Sequence, residues 1–402
     1  TLSNLVNPNC KCKKMVFLSQ KDNIIFAMNS IKMKIQEILS ILEQWAPTTY
    51  AEDFDNVGLL IGKAETECTG ILITHDVLEN VVDEAVVKKY NFIVCFHPII
   101  FSGLKNLTGK TYVERVVAKA IKNDIAIYAI HTALDNLKKG VSYTLANALG
   151  LSDIQVLIQQ QNTLKQLTVY VPKEIASSLL EQLYEAVAGA LGNYAQCSFV
   201  NKGTGSFRGN ENTQPHIGKP MIKEEVDEVQ LNLVFQKHLE RKILQTLFEN
   251  HPYEAVAYEL YSLDNQNSEI GMGSVGTLKK EMTEEEFLKW VGQKLETKFL
   301  RHSGFLAKKI KKVAVLGGSG SFAITKAKQI KADALVTADL KYHDFFQAEN
   351  QILLVDGGHY ETERFTKKLI HDHLTEKLPN FAIALSKSIT NPVKYFSDGK
   401  KE

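Results

Sequence analysis

No stretch of this sequence reaches the roughly 18 to 20 consecutive apolar residues that a membrane span requires, which sets a membrane-spanning reading aside. Cysteine is scarce, with five in 402 residues: Cys10, Cys12, Cys68, Cys95 and Cys197. Their scatter makes neither a disulfide framework nor the paired Cys-x-x-Cys spacing of a structural zinc site. A cytoplasmic, reducing compartment is the expectation. An excess of charge of one sign is also lacking. The 47 basic and 46 acidic side chains nearly cancel, so no polyanionic partner such as bulk nucleic acid is indicated. What remains is a chain with 44% hydrophobic residues, ordinary for a globular protein and long enough for two or three domains.

The first 32 residues differ in texture from the rest. Cys10-Lys11-Cys12-Lys13-Lys14 is basic, but no apolar segment and cleavage site follow it. A disordered or loosely attached tail over 1–32 is expected, its Cys10-x-Cys12 either touching a metal or simply reduced. Met33 opens an amphipathic helix with Ile35, Ile38, Leu39, Ile41, Leu42 and Trp45 on one stripe, and is taken as the structural start and a candidate natural one.

Residues 33–158 read as a first α/β lobe. Three apolar strands alternate with helices, the pattern of a parallel sheet covered on both faces. The strand of Gly70 to Thr74 ends at His75-Asp76, that of Phe92 to Cys95 at Phe96-His97-Pro98, and that of Ile125 to Ile130 at His131 and Asp135. One histidine at a strand end is usually structural, but three at one sheet edge share one place in space. Asp55, in Phe54-Asp55-Asn56-Val57-Gly58, reads as either a structural turn or a catalytic group.

Residues 160–268 follow the polar break at Gln159-Gln160-Gln161. Their order of strand, helix, strand, strand, helix, strand is that of an α+β ferredoxin-like insert. Gly203-x-Gly205 fits a hairpin loop or a phosphate contact. Residues 270–385 read as a second α/β lobe, and 386–402 as a C-terminal tail. The string Gly271-x-Gly273-x-x-Gly276 follows a loop and enters an extended segment, the wrong context for a dinucleotide fingerprint. Thr283 and Glu286 form a capping box. The loop Gly317 to Ser321, expected to start a helix at Phe322, is either an anion cradle or a tight turn.

The strand of Ala334 to Thr337 leads to Asp339 and His343. The next ends in Gly358-His359, with Glu363 four residues on, one helical turn and close enough to grip one ion. Histidine followed four residues later by a carboxylate also occurs at His131 and Asp135. The fold class expected is therefore α/β: two duplicated βαβ-type lobes forming one metal-binding domain, interrupted by the insert.

Five ordered motifs carry a family resemblance: Phe54 to Leu59, Phe96-His97-Pro98-Ile99-Ile100-Phe101, His131-Thr132-Ala133-Leu134-Asp135, Gly317-Gly318-Ser319-Gly320, and Gly358-His359-Tyr360-x-Thr362-Glu363. Together they resemble the Nif-three-like family, whose members are filed as GTP cyclohydrolase 1 type 2 homologues. The middle region resembles the CutA-like (PII-like) insert of longer bacterial members, with His251-Pro252-Tyr253-Glu254 as its most recognisable string.

The resemblance implies a ring-shaped homohexamer and a dinuclear site whose ligands are His97, Asp135, His359 and Glu363. Many members carry two adjacent histidines before the proline, each serving one metal. Phe96 replaces the first, so one firm ion is expected, and a second only if water, His75 or His131 completes it. Zinc, iron or manganese suits such a His/carboxylate set.

The expected activity is metal-dependent hydrolysis, with the ion supplying hydroxide and His343, Asp339 or His131 moving the proton. By the family's filing, the substrate is a nucleotide such as GTP or another small molecule. The alternative is a non-catalytic metal-binding ring that recognises a partner or small effector.

Overall fold

A computed structural model describes residues 32–396. Cys10, Cys12 and all of the expected N-terminal tail but Lys32 lie outside these residues, as does the end of the 386–402 segment. The described chain is a mixed α/β protein with three sheets.

The first sheet runs Gly58–Ile61, Ala126–Ala129, Phe92–Cys95, Ile71–Thr74, Ile383–Leu385 across its width. All pairs are parallel except the Gly58–Ile61 edge. The central strands are apolar at nearly every position because both faces are covered. Ile71 and Ile73 join the core beneath the amphipathic helix Ile35–Trp45, while Leu72 faces the core under the helices Glu79–Lys88 and Tyr112–Lys122.

The second sheet runs Arg301–His302, Leu353–Asp356, Ala334–Ala338, Lys309–Ser319, Gly271–Thr283, Leu151–Gln159. Its central trio is parallel and its flanks antiparallel. In each sheet three parallel strands lie side by side in reverse chain order. The carboxyl ends of the two trios face each other.

Two strands cross the boundaries expected from sequence. Leu151–Gln159 pairs with Gly271–Thr283 in the second sheet, and Ile383–Leu385 joins the first. The strands entering and leaving the middle region thus pair with each other, which a reading by sequence proximity does not anticipate.

The third sheet, Ser198–Arg208, Lys223–Gln236, Leu164–Pro172 and Tyr258–Leu263, is antiparallel throughout. Val229, Leu231, Leu233 and Phe235 alternate inward and pack under the helices Ala176–Glu185 and Glu240–Asn250. Gly203 and Gly205 lie inside the long strand Ser198–Arg208, not in a loop. A Cβ on Gly205 would meet the Glu228 carboxylate on the neighbouring strand, and both glycines line a cavity of the third sheet.

Two further expectations shift. The strand before the glycine loop runs on to Ser319, and the helix after it is short, Ile324–Gln329. The final helix is broken into His359–Glu363 and Thr366–Lys377. The capping box of Thr283 and Glu286 forms at the start of Glu284–Leu295. No helix among the described residues is long and apolar enough to cross a membrane.

Candidate metal centre

Each functional side chain leaves the carboxyl end of a buried strand or the short helix that follows it. His75 follows Ile71–Thr74, His97 follows Phe92–Cys95, and the helix His131–Asp135 follows Ala126–Ala129. From the second sheet, Asp339 follows Ala334–Ala338, and the helix His359–Glu363 follows Leu353–Asp356. Gly358 takes φ +91°, a left-handed value that suits glycine, and so turns the chain from strand into helix.

The two edges meet at Glu363. Its side chain is buried, and its Oε2 lies 3.1 Å from His359 Nε2, 3.3 Å from His97 Nε2 and 3.2 Å from His75 Nε2. His97 and His359 approach each other Nε2 to Nε2 at 3.4 Å. Despite this crowding, neither Glu363 Oε2 nor either nitrogen of His75 has a well-angled hydrogen-bond partner.

Three imidazoles are aimed by carboxylates on their other nitrogen. His97 Nδ1 donates to Asp76 at 2.8 Å, His359 Nδ1 to Asp339 at 2.6 Å, and His131 Nδ1 to Asp55 at 2.8 Å. Asp55 also accepts the Thr132 N–H at 3.1 Å. A proton fixed on Nδ1 leaves the Nε2 lone pair free to face the centre, the arrangement that orients metal-bound histidines.

The electrostatics follow from this packing. Burial pulls the His97 imidazolium down, but Asp76 and Glu363 outweigh it and lift it to about 10. His359 meets the same opposition of burial against Glu363 and Asp339, and rises to about 9. Burial would raise Glu363, yet the surrounding histidines hold it well below the usual carboxylate range. Asp135 goes the other way: burial first, then the charge of Glu363, push it well above its ordinary value. Without a cation, the centre keeps its carboxylate charged by holding protons on histidine.

The donor set fits a divalent ion. His97, His359 and Glu363 place ligand atoms within 4.8 Å of one another, and His75, Asp76 and His97 form a second such group. Zinc held by nitrogen and oxygen at about 2.0–2.1 Å has tetrahedral donor–donor edges of roughly 3.3 Å, near the spacings above. Gly318 completes the cradle at φ +69°, where a Cβ would fall 2.2 Å from Glu363 Oε1.

Of the ligands expected from sequence, His97, His359 and Glu363 are brought together. Asp135 stands apart from both tight groups among the described residues, but shares a cavity with His359 and Glu363. That cavity, about 590 Å³, is walled by His131, Asp135, His359 and Glu363 and edged by the exposed rings of Phe54, Phe101 and Phe322. Of the expected proton carriers, His131 faces this cavity and Asp339 is engaged with His359. His343 is exposed on the turn Tyr342–Ala348, packed against Tyr342 and Phe346.

Sequence reasoning did not give Asp76 and Asp55 their orienting roles, nor place His75 beside Glu363. The signal was present in the polar ends of the strands. Phe96 is fully buried, its ring against those of His75, His97 and His131.

Two parallel-centred sheets joined edge to edge around a histidine–carboxylate cluster define an α/β protein with a candidate metal centre between its halves. The chain belongs to the Duf34/NIF3 (NGG1p interacting factor 3) family, whose model matches residues 33–392. It is 39% identical over 370 residues to a Bacillus subtilis (strain 168) protein named GTP cyclohydrolase 1 type 2 homolog, a match covering 90% of this chain and 98% of that one. Among solved structures it is similar to a Bacillus cereus protein related to NIF3, with TM-score 0.77 and 37% identity, covering 91% of this chain and 99% of the other. Staphylococcus aureus protein SA1388 follows at TM-score 0.72 and 30% identity, covering 92% and 100%.

Proposed function

We propose that this chain is a metal-dependent hydrolase acting on a small molecule, with His97, His359 and Glu363 holding the ion and Asp135 beside them. The observation that carries the reading is the buried Glu363 Oε2, ringed by three imidazole nitrogens at 3.1–3.3 Å and lacking a well-angled hydrogen bond. A divalent ion bound there would supply Lewis acidity, which lowers the pKa of water to about 7.

The chain's own residues supply the rest. Asp76 and Asp339 fix the Nδ1 protons of His97 and His359, so both rings present a basic nitrogen inward. His131, held by Asp55, faces the cavity with Nε2 free to take or return a proton. Asp135, pushed above its ordinary value by burial and by the charge of Glu363, lines the same cavity. The rings of Phe54, Phe101 and Phe322 at the rim suit a flat heterocycle. A purine nucleotide is the substrate class to test first, since the curated relatives are named for GTP cyclohydrolase.

We read residues 33–158 and 270–385 as duplicated lobes and 160–268 as a ferredoxin-like insert. The shared order of the parallel trios supports the first reading. The order second, third, first, fourth in the insert's sheet supports the other. The ring-shaped homohexamer implied by the family resemblance is also part of the proposal. The unpaired edge of Ser198–Arg208, with Phe199 and Val200 exposed, fits self-association. The described cysteines are free, which suits a reducing cytoplasm.

A second reading, a non-catalytic metal-binding ring, draws on the insert's own cavity of about 530 Å³, lined by Tyr170, Lys202, His216, Glu228 and Tyr253. That cavity can take an effector. A screen of nucleotides and small metabolites with metal-loaded protein separates the two. Turnover lost in Glu363→Gln supports the hydrolase; bound metal with no turnover across the screen rejects it in favour of the ring.

A further inference from the structure

We propose that His75 is a metal ligand of this chain, standing in for the imidazole that Phe96 excludes from the neighbouring strand. The proposal rests on the reading of His97, His359 and Glu363 as a metal centre.

The first observation is register. Thr74 pairs in parallel with Cys95, so His75 and Phe96 are the next residues on adjacent strands. The Phe96 N–H lies 3.2 Å from the carbonyl oxygens of both Thr74 and His75. Adjacent strands are about 4.8 Å apart, so an imidazole moved sideways by one strand still reaches the same centre.

The second observation is what surrounds the ring. His75 is 2% exposed, and neither of its nitrogens has a well-angled hydrogen-bond partner. Buried imidazole nitrogens are ordinarily satisfied, because leaving them bare in a low-dielectric interior is costly. A leucine would fill the same space with no polar atom to bury. Nε2 instead stands 3.2 Å from Glu363 Oε2, the spacing of two donors on one ion.

The third observation is that the ring is held. Phe96 stacks on it at 5.3 Å and 30°, and Tyr360 meets it edge-on at 5.5 Å. Two aromatic walls fix the plane of the imidazole where a carboxylate partner fixes it for His97. The residue that removes one candidate ligand therefore orients another, and the first sheet contributes two imidazoles to the centre.

The test is made on the full chain, stripped with a chelator and titrated with Zn²⁺ against a chromophoric competitor. His75→Leu, which keeps the buried volume, is expected to weaken zinc by at least about 10-fold. The pair His75→Leu/Phe96→His should regain most of that loss. Zinc X-ray absorption adds a reading of coordination: the imidazole count per zinc is expected to fall from the unmodified protein to His75→Leu, and an unchanged count would overturn the proposal. Wild-type affinity in His75→Leu, with zinc lost in His359→Ala, would also overturn it while leaving the centre standing. If the unmodified chain binds no zinc, the metal-centre reading falls and this proposal with it.

Discussion

The two sheets bring unequal equipment to the same point. The second sheet offers a compact unit: His359 and Glu363 one helical turn apart, Asp339 behind the histidine, and Gly318 clearing space for the carboxylate. The first offers a wider, more scattered set, with His97 held by Asp76, His131 held by Asp55, and His75 held only by aromatic rings. The difference is that of one helical turn facing side chains gathered from three strand ends. One carboxylate, Glu363, receives imidazoles from both sides, so it is the group on which the halves depend jointly.

The sharpest way to break this comparison is to remove the shared group. Glu363→Gln keeps the shape and deletes the charge that three histidines surround. Metal affinity is expected to fall more than about 100-fold, measured by competition titration. Undiminished binding would mean that the halves hold ions independently.

The orienting carboxylates should matter less, and about equally on the two sides. Asp76→Asn and Asp339→Asn are each expected to cost about 10- to 100-fold in affinity, because the amide releases the Nδ1 proton that sets the ring. An effect confined to Asp339→Asn would make the second sheet the whole site.

Acidity tests the same pairing through stability. His97 and His359 are raised from 6.5 to about 10 and about 9. Their contribution to the metal-free fold is full below 6.5 and is lost as pH rises through the raised values. Glu363 is lowered from 4.5, so its contribution is full above that value and is lost on acidification. The metal-free protein should therefore melt at a higher temperature at pH 6 than at pH 9.5. Glu363→Gln should flatten that difference. Metal affinity should run the opposite way, rising with pH as the ion no longer competes with the histidine protons.

Gly318→Ala probes the second sheet's backbone. At φ +69°, with Glu363 Oε1 2.2 Å from the added methyl, it should cost more than about 1 kcal/mol by chemical denaturation. The smallest effect is expected at His343, exposed and away from the cluster. His343→Ala should leave metal affinity within about 2-fold of the unmodified chain, in keeping with ordinary surface substitutions.

Much of this was legible in the sequence, for a physical reason. Buried parallel strands have continuous apolar runs, so strands such as Phe92–Cys95 and Leu353–Asp356 announce themselves, and their polar ends mark a sheet edge. His97, His359 and Glu363 could be read that way. The orienting role of Asp76 could not, because it depends on which side chain crosses from one strand end to the next. The crossing of Leu151–Gln159 into the second sheet was hidden for a similar cause: its partner lies beyond the insert, over a hundred residues away. Asp339 and His343 sit four apart in sequence, yet only the first turns toward the centre, since φ +55° at Asp339 redirects the chain.

The most direct measurement is elemental analysis of the protein purified without added metal, beside His97→Ala and His359→Ala. If the two sheets build one centre, the unmodified chain carries a bound divalent ion, and removing the histidine from either sheet alone empties the site. Retention of the full metal content in both variants would contradict the account.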